Sequence, residues 1–155
     1  MTVARGSPYL ASLLCHHASH AAIDASRATV LPADVAQAVA LAVQEFEGRV
    51  PKPIRAHVKR LFAREGAEAL ALAARVALAG DGSFSAADLA LVNETTVRKS
   101  AELVSVLKTE ELVRPTVDDD ERYVFIEDGL PTLIWMMWAQ LRMQPEPRSA
   151  QAAAS

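Results

Sequence analysis

Apolar residues recur at helical spacing through most of the chain. Between residues 33 and 46, Val35, Val39, Ala42, Val43 and Phe46 fall on one stripe after Pro32, which predicts a helix opened by a proline in its first turn. The stretch from Glu47 to Pro53 breaks it, because Pro51 and Pro53 disfavour helical backbone in the residues before them. From residues 54 to 65, Ile54, Val58, Leu61 and Phe62 share a face while Arg55, Lys59, Arg60 and Arg64 fall mainly on the other; this predicts a second helix ending at Gly66. A third, Ala-rich helix over residues 67 to 79 stops at Gly80-Asp81-Gly82. Residues 1 to 29 show weak periodicity and are read as either a loose arm or a first helix.

The pattern then changes. Phe84 is expected to be briefly extended, and Ser85 with Asp88 three residues on is a helix-start signal for a short helix to about Val92. Asn93 ends it. Either Asn93 or Thr95 can cap the next helix, in which Val97, Ala101, Val104 and Leu107 repeat at three and four residues as far as about Glu110. Residues 112 to 117 and 122 to 126 predict two strands joined by the polar turn Asp118-Asp119-Asp120-Glu121. Helix, short strand, helix, turn, helix and hairpin is the order of a winged helix-turn-helix, where the second helix of the pair enters the DNA major groove.

The final helix, residues 130 to 143, is apolar on more than one face. Leu133, Trp135, Met137, Trp138 and Leu141 are its candidate dimerisation residues, since tryptophans are enriched at interface hot spots; ordinary core packing is the alternative. With Gln140 and Arg142 in it, this span is too short and too polar for the ~20 apolar residues that cross a bilayer. The Pro-Glu-Pro and closing alanines of residues 145 to 155 are expected to be a disordered tail.

Composition narrows the picture. A chain of 155 residues, 51% hydrophobic, suits one domain, expected over residues 30 to 144. Its single cysteine, Cys15, forms no internal disulfide, and the N-terminus lacks the charge pattern of a signal peptide, so a cytoplasmic protein is expected. Net charge is -3, which excludes coating of nucleic acid by overall charge. That total conceals two blocks: residues 49 to 64 hold six basic and no acidic side chains, whereas residues 118 to 128 hold six acidic against one basic. Cys15, His16, His17 and His20 invite a metal reading, but no second ligand pair follows, so no metal or cofactor is expected. Without a phosphate loop, nucleophile elbow or zincin motif, the chain is not read as an enzyme.

The runs Thr95-Thr96-Val97-Arg98-Lys99, Leu107-Lys108-Thr109-Glu110-Glu111-Leu112-Val113-Arg114 and Asp118-Asp119-Asp120-Glu121-Arg122-Tyr123-Val124-Phe125-Ile126 resemble the MarR-type winged-helix regulators over about residues 67 to 129. In that family a "TV…LV..L...GLV.R" helix leads into a "D..DRR" wing. Here Glu121 stands at the first wing arginine, Arg122 at the second, and Glu111 at the glycine before "LV". The resemblance implies interlocking terminal helices in a two-fold dimer and a small-molecule effector.

The expected function is that of a homodimeric, sequence-specific regulator of transcription acting on double-stranded DNA. Thr95, Thr96, Arg98 and Lys99 are its candidate reading residues, with Arg98 suited to guanine and Lys99 to a phosphate. Arg55, Lys59, Arg60 and Arg64 would follow the backbone, or else be a solvated face paired with acids such as Glu45 and Glu47. The resemblance implies that an aspartate clamps Arg122 and aims it at DNA; the alternative is a solvated hairpin tip that touches nothing. The rival class is a winged helix that docks proteins through its acidic tip and Trp/Met helix, without DNA.

Overall fold

The computed structural model describes residues 8–144, so the first residues of the expected arm and the expected tail lie outside the described residues. The protein is mainly helical with one small antiparallel sheet. Helix α1 (Pro8–Asp24) buries Leu10, Leu14, Ala18 and Ala22, an unbroken four-residue spacing, and packs along α2 (Pro32–Glu47). The two are antiparallel: Tyr9 near the start of α1 bonds Glu45 near the end of α2, and Arg27 beyond α1 grips Asp34 in the first turn of α2. Residues 8 to 24, left open between arm and helix by their composition, are thus a packed helix.

Asp34 is the buried acid of this pair. It accepts two bonds from the Arg27 guanidinium, at 2.6 and 2.8 Å, and one from the Leu31 N–H at 2.7 Å. First the Arg27 side chain and then the Leu31 N–H hold its pKa down to about 2.

Helix α3 (Lys52–Leu61) does not stop at Gly66. It passes through a π-helical turn, Phe62–Gly66, directly into α4 (Ala67–Ala79), with Gly66 in right-handed backbone. A Cβ on Gly66 would stand 3.2 Å from the Leu61 carbonyl oxygen, so the glycine serves close backbone approach in the widened turn rather than termination.

Strand β1 (Ser83–Ser85) leads to α5 (Ala86–Val92), α6 (Val97–Thr109), β2 (Val113–Pro115) and β3 (Arg122–Phe125). The sheet order is β1-β3-β2, with Phe84 opposite Tyr123 and Val113 opposite Phe125. Fully buried Phe84, with its ring 5.6 Å from that of Phe125, ties the sheet to the helical core. Helix α7 (Leu130–Met143) packs against both α2 and α4. Leu133 and Trp135, expected at a subunit interface, are buried there within the single chain because α7 is flanked on two sides; Met137 and Trp138 are half-buried and Leu141 is 47% exposed. Among the described residues no helix is long and apolar enough to cross a membrane.

Candidate nucleic-acid interface

The local chemistry around α6 begins at its neighbour. Ser85 Oγ accepts the Asp88 N–H and Asp88 accepts the Ser85 N–H, a reciprocal cap that starts α5 where the sequence predicts. Helix α5 ends with Glu94 at φ +51° and a bond from the Thr95 N–H to the Ala90 carbonyl, which makes the tight turn into α6. The cap of α6 is Thr96, whose hydroxyl accepts the Lys99 N–H at 3.3 Å, rather than Asn93 or Thr95; the left-handed turn at Glu94 delays the helix until Thr96. Ser100, Val104 and Leu107 face inward against α5 and the sheet.

That inward face leaves the opposite side of the first two turns in solvent. The Arg98 side chain is 90% exposed, with only a 3.4 Å ion pair to Glu102 one turn on, and Lys99 and Thr96 are exposed. Thr95 is half-buried in the turn. Arg98, Lys99 and Thr96 are therefore presented together at the N-terminal end of one exposed helix.

Arg122 is placed differently. Its guanidinium donates to Ser83 Oγ from Nε at 3.1 Å and Nη2 at 2.8 Å, and to Asp88 from Nη1 at 3.2 Å. The clamp is Asp88 of α5 rather than an aspartate of the hairpin tip. Ser83 in turn donates to Asp81 through both hydroxyl and N–H. These bonds, the hydroxyl's first, lower the Asp81 pKa, and the nearby charge of Arg122 adds to the effect. The tip is folded by its own bonds: Asp119 accepts from the Glu121 N–H, and its carbonyl accepts from the Thr116 hydroxyl and the Arg122 N–H. Asp118, Asp119, Asp120 and Glu121 are all exposed.

The basic face of α3 lies at the other end of α6. His57 contacts Glu110, the C-terminal cap residue of α6, and Glu110 is ~18 Å along the helix axis from Arg98 at 1.5 Å per residue. Within this block Lys59 bonds Glu47 at 2.7 Å, and Arg49 bonds Glu45 and the Tyr9 hydroxyl. Arg55 is half-buried, whereas Arg60 and Arg64 are exposed. The block is consequently part ion-paired and part solvent-facing, and separate from Arg98 and Lys99.

A cleft of about 410 Å³ runs between α6, the start of α5 and β3. Val97, Ala101 and Lys108 form its α6 wall, Ala86 and Ala87 its α5 wall, and Glu121 and Tyr123 the hairpin side. Lys108 sits 5.4 Å from the Tyr123 ring centroid, a cation–π contact bracing α6 against β3. In sequence Val97 and Ala101 belong to the apolar repeat of α6; their exposure is a tertiary fact. On α1, the His16 and His20 rings are 4.5 Å apart, but no group of three or more His, Cys, Asp or Glu among the described residues is placed to hold a metal.

Compared with protein-family models, with curated proteins and with solved structures, the chain has no match.

Proposed function

We propose that the protein is a sequence-specific regulator of transcription that binds double-stranded DNA as a homodimer in the cytoplasm. In this reading α4, β1, α5, α6 and the β2–β3 hairpin form a winged helix-turn-helix with α6 in the major groove. The observation that carries it is the exposed, capped start of α6, where Arg98 and Lys99 project away from the face buried by Ser100, Val104 and Leu107. A helix inserted this way offers a bidentate guanidinium to base edges and an ammonium to phosphate. Arg60 of α3 and Arg64 of the π-helical turn after it supply further phosphate attraction.

The hairpin has a lesser role. Its tip is acidic and Arg122 is held by Ser83 and Asp88, so recognition rests on α6. The exposed part of α7 around Leu141, with the half-buried Met137 and Trp138, is the proposed subunit contact, and a two-fold dimer would place two α6 helices on repeated half-sites.

Selection of bound duplexes from random DNA tests this reading. A common half-site recovered twice in inverted orientation, together with a dimer by light scattering, is the expected result. Failure to retain any duplex at low salt would overturn it and favour the protein-docking rival, for which the fully exposed Val117 beside three aspartates is the supporting feature.

A further inference from the structure

We propose that Val97 and Ala101 seat the 5-methyl group of a thymine beside the base pair that Arg98 contacts. This inference rests on the DNA-binding reading and adds a specificity determinant to it.

Val97 is 57% exposed in the first turn of α6, and Ala101, also exposed, lies one turn later. Four residues advance a helix by about 40° beyond a full turn, so the two side chains form one small apolar strip. The strip borders the same outward face as Arg98 and lines the cleft opposite Ala86 and Ala87. Those small neighbours leave it uncovered. Val106, the other exposed valine of α6, is turned about 180° away from Val97 and cannot join the strip.

The occupant follows from charge and shape together. Arg98 borders the strip and Lys108 lines the same cleft across from the acid Glu121, and these two cations favour a polyanion over an apolar peptide; on duplex DNA the small apolar feature of the major groove is the thymine methyl. Arg98 faces a polar edge while Val97 and Ala101, about 100° and 60° around the helix from it, meet an apolar one. The expected half-site therefore contains a guanine with a thymine at an adjacent step.

The experiment uses the full chain and a duplex recovered by selection, with each thymine replaced in turn by deoxyuridine, which removes only the methyl group. One thymine per half-site is expected to weaken binding about fourfold when demethylated, the size of one buried methyl-sized group. In Val97→Ala, whose folding is checked by circular dichroism, that loss should shrink towards none. A duplex bound equally well with every thymine demethylated would overturn this inference and leave the DNA-binding reading standing. Retention of the full loss in Val97→Ala would overturn the assignment to the strip. No duplex binding at all would overturn both readings.

Discussion

The Arg122 guanidinium reaches back from β3 to the Ser83 hydroxyl of β1, at 2.8 Å from Nη2, and its Nη1 lies 3.2 Å from Asp88 at the start of α5. One side chain thus joins the hairpin, the first strand and the cap of the helix that supports α6. Because Asp88 also accepts the Ser85 N–H, loss of the arginine loosens a cap as well as a strand pair. Arg122→Ala is expected to cost about 1 kcal/mol, the value of charge-assisted bonds discounted for a group about a third exposed. Urea unfolding measures it, with an Arg122→Lys variant recovering the ion pair to Asp88 but not the paired bonds to Ser83.

Arg98 makes no contact that the fold needs. Arg98→Ala should leave stability within about 0.5 kcal/mol of the parent, as for most exposed substitutions. It should cost about 1–3 kcal/mol in affinity for the selected half-site and flatten preference at one base pair. Anisotropy titrations against matched and mismatched duplexes check both. An equal loss on every sequence would reassign Arg98 to a phosphate.

Helix α6 ends with Glu111 at φ +54°, the Leu112 N–H bonding the Leu107 carbonyl and the Glu111 N–H that of Lys108. This is a helix end suited to glycine, and side chains with a Cβ are strained there. The backbone at Glu111 takes the glycine conformation without the residue. Glu111→Gly is expected to raise stability by about 0.5–1 kcal/mol, strain relief exceeding the added freedom of the unfolded chain. Thermal unfolding would show a higher midpoint.

The Arg27–Asp34 pair gives the fold an acid sensitivity. Asp34 drops from 3.8 to about 2 on folding, so its ionised form is favoured in the folded protein. Its contribution is complete above the unfolded value and declines as pH falls from about 4 towards 2. Asp34→Asn should therefore be less stable than the parent at pH 7, and the gap should narrow steeply as pH falls from about 4 to 2 in denaturant titrations. A gap that did not change with pH would mean the deficit comes from geometry and not from charge.

The elements from Ser83 to Phe125 were legible because their signals are local: Ser85 and Asp88 cap within one turn, and β-formers flank an acidic turn. The stripe of α1 was obscured because two of its four buried positions are alanine and the facing side chains include three histidines, which weakens any apolar contrast. Gly66 misled because a glycine at a helix end and a glycine at a π turn look alike in sequence. The ion pairs of Arg49 and Lys59, the retreat of Arg122 and the burial of Leu133 and Trp135 depend on which elements meet, and no local pattern carries that information. Of the candidate reading residues, Arg98 and Lys99 are evident in sequence as the polar start of a helix, while the exposure of Val97 requires the packed structure.

The central claim, that α6 carries a DNA-binding surface, is tested most directly by anisotropy of the full chain on a selected duplex at low and moderate salt. Affinity is expected to fall ~10³-fold or more between the two, as several phosphate contacts require, and Glu121→Lys should bind any duplex more tightly with a steeper salt dependence. Absence of binding at low salt, or an affinity unmoved by salt and by Glu121→Lys, would contradict it.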